Sequence, residues 1–123
     1  MARILLADDE EQILDSMEKA LRPLGCETDR AMNGREAMEL LSENDYDVLV
    51  TDLVMPQRTG LDLVQTLRMR RMTIPIIVLS AFVTPDVRRE LEYYERLEIL
   101  TKPFKAEALV DLVKRALETV SEK

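Results

Sequence analysis

Three features of the sequence predict an α/β fold with a parallel five-stranded sheet. Short apolar runs alternate five times with segments of helical period. The runs Ile4–Ala7, Val48–Val50 and Ile74–Leu79 are nearly unbroken, as strands are when helices cover both faces of a sheet. The chain has 123 residues and is 46% apolar, which suits one domain with a core that needs no staples.

Each element can be justified in order. Ile4–Leu5–Leu6–Ala7 is the first strand. Residues 10–22 set Ile13, Leu14, Met17, Ala20 and Leu21 on one helical face, and Pro23 with Gly25 should end that helix. Cys26–Arg30 alternates only in part and reads as a weaker second strand. Residues 35–42 turn Ala37, Met38, Leu40 and Leu41 to the core. Val48–Leu49–Val50 is the third strand, with Thr51 and Asp52 just beyond its apolar part. Residues 60–69 offer Leu61, Leu63, Val64 and Leu67. The fourth strand, Ile74–Leu79, has Pro75 near its start, where a missing N–H is tolerable. Thr84 is the expected N-cap of the fourth helix, with Pro85 at its first position and Asp86 in its first turn. Leu97–Leu100 is the fifth strand. A last helix over about 105–120 carries Leu109, Leu112, Val113, Ala116, Leu117 and Val120. Residues 1–120 are thus expected as one domain, with 121–123 a frayed tail and every crossover right-handed.

Composition narrows the function. The formal charge is −7, from 17 Lys plus Arg against 24 Asp plus Glu, which disfavours direct nucleic-acid binding. The basic residues Arg68, Arg70 and Arg71 sit at an expected helix end, where positive charge suits the dipole. No histidine is present, so the chain supplies no imidazole base, ligand or phosphohistidine. The lone Cys26 cannot form an internal disulfide and reads as a small hydrophobe. The apolar start is too short for a signal peptide, and no run reaches the roughly 20 residues of a membrane span. A cytoplasmic location is expected, with no membrane contact.

The strand order in sequence locates the chemistry. Sites of open α/β sheets lie beyond the carboxyl ends of the strands. Asp8 and Asp9 follow the first strand, Asp52 the third, Ser80 the fourth and Lys102 the fifth. Carboxylates gathered at one rim repel, so either their pKa values split or a cation joins them. Oxygen donors without soft ligands suit magnesium. A carboxylate can also attack phosphorus. Lys102 and a divalent ion could then screen the charged oxygens, while Ser80 donates a hydrogen bond. Taken singly, each residue has an ordinary role. Asp8 and Asp9 could cap a helix, Asp52 could form an Asx turn, and Ser80 and Lys102 could be plain rim residues. Met55 reads as core, and Pro56 and Gly60 as turn and helix-entry residues. Joint placement at four strand ends is what favours chemistry.

The set ADDE at 7–10, TDLVMP with Gly60, LSA at 79–81 and TKPF at 101–104 resembles the receiver domain of two-component response regulators, in the spacing of the single-domain chemotaxis type. The resemblance implies a doubly wound, flavodoxin-like fold with strand order 2-1-3-4-5. It implies that Asp52 accepts a phosphoryl group from a histidine kinase or histidine phosphotransfer protein. It implies Mg2+ held by Asp8, mainly through water, by Asp9 and Asp52, and by the Val54 carbonyl. Ser80 would turn toward the phosphoryl oxygens, Lys102 would pair with them, and Lys102–Pro103 would be cis. Phosphorylation would rearrange Ala81–Thr84 and alter the face of helix four, strand five and helix five. A downstream protein or a tethered output domain would read that face, and homodimer pairing through helices four and five is compatible with it.

This sequence departs from the family pattern in places. Ile99 stands where an aromatic residue or histidine is usual, and Glu95–Arg96 where Gly–Ala is common. Tyr93 and Tyr94 near the end of helix four suit either a partner face or packing of one ring with the other exposed. Val54 and Phe82, two residues after Asp52 and Ser80, offer no acid or amide to position water, so slow self-dephosphorylation is expected. The domain should therefore catalyse its own phosphorylation without being a conventional turnover enzyme. A phosphate-independent interaction module is one alternative. A small magnesium-dependent phosphatase is another, but Val54 stands where its second acid would be needed.

Overall fold

The computed structural model describes residues 1–55 and 59–121, with side chains described as far as Glu118. Pro56, the side chain of Val120, and Glu122 and Lys123 of the expected tail lie outside the described residues. The elements run β1 (Arg3–Ala7), α1 (Glu11–Leu21), β2 (Glu27–Ala31), α2 (Gly34–Glu43), β3 (Val48–Asp52), α3 (Gly60–Met69), β4 (Ile76–Ser80), α4 (Pro85–Glu92), β5 (Leu97–Thr101) and α5 (Ala106–Ser121).

Local chemistry sets most boundaries. Helix α1 stops at Leu21, and Pro23 lies in a single 3-10 turn, Arg22–Leu24, that follows it. Gly25 then takes φ 71°, a left-handed conformation that glycine adopts without strain, and the chain turns into β2. Asn33 caps α2 by accepting the Glu36 N–H at 2.8 Å. Thr59 and Asp62 form a capping box at α3. Thr84 accepts the Val87 N–H at 3.2 Å, and Pro85 opens α4 as its sequence suggests. Helix α5 extends to Ser121, one residue into the expected tail.

All strands pair in parallel, in the order β2-β1-β3-β4-β5. This is the doubly wound, flavodoxin-like order that the resemblance implies. Alternate strand residues feed two separate cores. Leu5, Ala7, Leu49, Ile76 and Val78 join Ala37 and Leu41 of α2, Leu63, Val64 and Leu67 of α3, and Leu91 of α4. Ile4, Leu6, Val48, Val50, Ile77 and Leu79 join Leu14, Met17 and Leu21 of α1, and Leu109, Leu112 and Val113 of α5. Helices on both faces explain why β1, β3 and β4 show no polar alternation.

The edge strands differ. Polar pairs hold β2: Thr28 bonds Glu18, Arg30 bonds Glu18 and Asp15, and Asp29 accepts from Arg3 and Tyr46. These pairs account for its faint apolar pattern. Cys26 lies just before β2 and is half-buried, its Sγ 3.6 Å from the Leu21 carbonyl oxygen. Burial pushes its thiol pKa up. On β5, Leu97 and Ile99 pack toward one core and Leu100 toward the other, while Glu98 is exposed.

Candidate functional site

The sheet order sets the site. With β1 between β2 and β3, α1 passes to one face and α2 to the other, and a crevice opens where the strand order reverses. Asp8 follows β1, Asp52 ends β3, Ser80 ends β4 and Lys102 follows β5. The register sets Asp52 opposite Leu79 and Ser80 opposite Thr101, which levels the strand ends at one rim. The Lys102 N–H donates to the Ser80 carbonyl at 2.8 Å and extends that alignment.

Asp8 is wholly buried. Its Oδ1 accepts the Glu10 N–H at 2.9 Å, and its Oδ2 accepts Lys102 Nζ at 2.9 Å. The same ammonium donates to Asp52 Oδ2 at 3.2 Å. Asp52 is 8% exposed and accepts the Val54 N–H through Oδ1 at 3.4 Å. One cation therefore holds two buried carboxylates that would otherwise repel. Desolvation first, and the Asp8 charge second, push the Asp52 pKa up, while Lys102 opposes them. Burial pulls the Lys102 pKa down, but its bonds and charge interactions with Asp8 and Asp52 outweigh that and raise it. The Lys102–Pro103 peptide is cis.

Gly60 supports the acceptor rim by its lack of a side chain. A Cβ there would stand 2.1 Å from the Asp52 carbonyl oxygen and 2.9 Å from Leu53 Cα. Its N–H donates to the Leu53 carbonyl at 2.9 Å, so α3 starts tight against the end of β3. Met55 is buried in the core, whereas Val54 and Phe82 are exposed.

Two arrangements differ from the simplest reading of the sequence. Ser80 Oγ closes on its own turn, donating to the Phe82 carbonyl at 2.7 Å and accepting the Phe82 N–H at 3.2 Å. Glu10, absent from the expected ligand set, brings a carboxylate oxygen within 4.8 Å of those of Asp8 and Asp9. The acidic run ADDE held that signal, because a chain turning from strand to helix keeps successive side chains near one rim. The donors fit a hard divalent cation such as magnesium: converging carboxylates, with no imidazole or thiolate among them.

Carboxylates and an ammonium at this crevice define a class of site suited to phosphoryl transfer. A family model described as the response regulator receiver domain matches residues 4–114. Over 115 residues the chain is 33% identical to the response regulator protein PilR of Pseudomonas aeruginosa, covering 94% of this chain and 26% of that protein. It is 36% identical over 115 residues to the transcriptional regulatory protein PrrA of Mycobacterium bovis, covering 94% and 49%. Among solved structures, the receiver domain of the Francisella response regulator 1452 matches with a TM-score of 0.88 at 31% identity, covering 98% of this chain and 99% of that one. The chemotaxis response regulator CheY4 of Vibrio cholerae matches with a TM-score of 0.85 at 31% identity, covering 95% and 99%. The chain belongs to the receiver-domain family of two-component response regulators, and is a phosphoryl-accepting signalling domain. It spans between 24% and 49% of the length of the first curated relatives it matches. Among the described residues no helix is long and apolar enough to cross a membrane.

Proposed function

We propose that Asp52 is the phosphoryl acceptor, and that the donor is a phosphohistidine on a histidine kinase or histidine phosphotransfer protein. The observation that carries this reading is the Lys102 ammonium shared between Asp8 and Asp52. It keeps a desolvated carboxylate beside a cation that can move onto a phosphoryl oxygen.

In the step, an Asp52 carboxylate oxygen attacks phosphorus. The new O–P bond forms as the N–P bond to the donor imidazole breaks, and the imidazole takes its proton from solvent. Lys102 pairs with one phosphoryl oxygen as charge spreads over the group. Ser80 donates to another after leaving the Phe82 carbonyl. Asp8, Asp9, Asp52 and the Val54 carbonyl would hold magnesium, with Glu10 near the same cluster. When bound, magnesium screens the charge of the incoming phosphoryl oxygens.

The same bonds supply a switch. Phosphorylation adds about −1.5 to −2 charges. Drawing Ser80 away removes both of its bonds to Phe82, so the segment 81–84 rearranges, and Thr84 carries that change to the cap of α4. Ile99, packed in the core that contains Leu91, gives an aliphatic contact in place of a swinging ring. The face of α4, β5 and α5 then meets a downstream protein or tethered domain. We place the receiver domain at 1–120 and its setting in the cytoplasm, with no direct contact to nucleic acid.

Intact mass after incubation with acetyl phosphate tests the acceptor. A single gain of about 80 Da, one phosphoryl group, that needs both magnesium and Asp52 is expected. A gain that persists in Asp52→Asn would overturn the assignment. Failure of both acetyl phosphate and a cognate phosphohistidine protein would favour a phosphate-independent module.

A further inference from the structure

At the end of the sheet away from the acidic rim, Arg68 and Arg96 face one cavity of about 360 Å³, lined also by Thr73, Tyr93, Tyr94 and Glu95. Arg96 directly precedes β5 and Lys102 directly follows it, a separation of about 20 Å at strand rise. The two guanidiniums have different commitments. Arg68 clamps the α3–β4 and α4–β5 connections, donating to the carbonyls of Met72 at 2.7 Å, Ile74 at 3.0 Å and Glu95 at 2.8 Å. Arg96 adopts φ 57° and makes one longer bond, to the Thr73 carbonyl at 3.3 Å. Neither is paired with a carboxylate in a salt bridge among the described residues, although the chain as a whole carries −7. Burial and the neighbouring Arg96 charge pull the Arg68 pKa below its ordinary value, with Glu95 opposing. Two adjacent cations so placed repel unless an anion joins them. The aromatic wall adds a second feature. Tyr93 is 84% exposed and meets Tyr94 edge to face at 5.5 Å, which leaves ring surface uncovered by its neighbour.

We propose that this cavity binds a small phosphate ester bearing a flat ring, of mononucleotide size, with Arg96 and Arg68 on the phosphate and Tyr93 against the ring. Guanidinium forks match phosphate oxygens geometrically. Aromatic faces accept bases without sequence preference. The volume falls at the small end of ligand pockets. Glu95 offsets one of the two positive charges and leaves the lining net positive. An occupant would tie the end of α4 to the start of β5, two of the elements that form the expected output face.

Nuclear magnetic resonance titrations in magnesium-free buffer test the site, with adenosine 5′-monophosphate, inorganic phosphate and adenosine as separate probes. The monophosphate should shift the amides of Thr73 and Tyr93 to Leu97 saturably, at least tenfold tighter than phosphate or adenosine. Arg96→Gln gives up one long bond and should keep the folded spectrum while weakening the monophosphate at least tenfold. Tyr93→Ala should weaken it several-fold and leave phosphate unchanged. Equal binding of adenosine, equal binding of phosphate, no effect of Arg96→Gln, or shifts confined to the Asp8–Asp52 rim would each overturn the proposal.

Discussion

Asp52 serves function against stability, and Lys102 offsets part of that cost. The folded Asp52 carboxyl has a raised pKa, so folding favours its protonated form. Its contribution to stability is full below the ordinary carboxylate pKa and is lost as pH rises through the raised value. In magnesium-free buffer, Asp52→Asn should therefore raise Tm near neutral pH. The gain should shrink as the pH falls, and thermal melts across that range check the sign. Lys102→Ala should do the reverse. It leaves Asp8 and Asp52 facing each other without their shared cation, at a cost of about 3 kcal/mol read from urea unfolding. Added magnesium should recover part of that loss by binding the native state. Val54 and Phe82 are 70% and 77% exposed, so polar replacements there should fold normally. Phe82→Gln with Val54→Asn should shorten the phosphoryl lifetime several-fold, measured as phosphate release from the phosphorylated protein.

At the scale of elements, the start of α3 is the part most tightly fitted to the acceptor. Gly60→Ala would drive a methyl group into the Asp52 backbone, and neither the strand nor the capped helix can yield easily. A loss of about 2–4 kcal/mol is expected, together with slower phosphorylation, because the displaced atoms belong to the acceptor itself. Melts and acetyl phosphate kinetics measure the two effects. Elements also differ in how plainly the sequence announced them. β1, β3 and β4 were legible because burial on both faces demands apolar residues throughout. β2 was faint because ion pairs and hydroxyls hold it to the rest of the fold. Ile74 read as strand but lies before β4, where its carbonyl accepts from Arg68. Apolar character alone cannot mark a boundary that a distant side chain helps to fix.

Over the whole molecule, two cores share one sheet, and β1, β3, β4 and β5 contribute to both. Neither core can be lost without stripping one face of the same strands. Unfolding should therefore be two-state, with calorimetric and van't Hoff enthalpies equal at about 85 kcal/mol. A van't Hoff value near half the calorimetric one would mean that the two faces melt separately.

The sequence alone determined the alternation of strand and helix, the caps at Thr84 and Gly25, and the polar residues at successive strand ends. Those features follow from periodicity, backbone freedom and chain order, all local to a segment. Tertiary structure decided which strand ends meet, that Lys102 lies between Asp8 and Asp52, and that Ser80 is closed on Phe82. It also brought Arg68 and Arg96, 28 residues apart, to one cavity. Such contacts depend on strand order and side-chain direction across the fold, which no local pattern encodes.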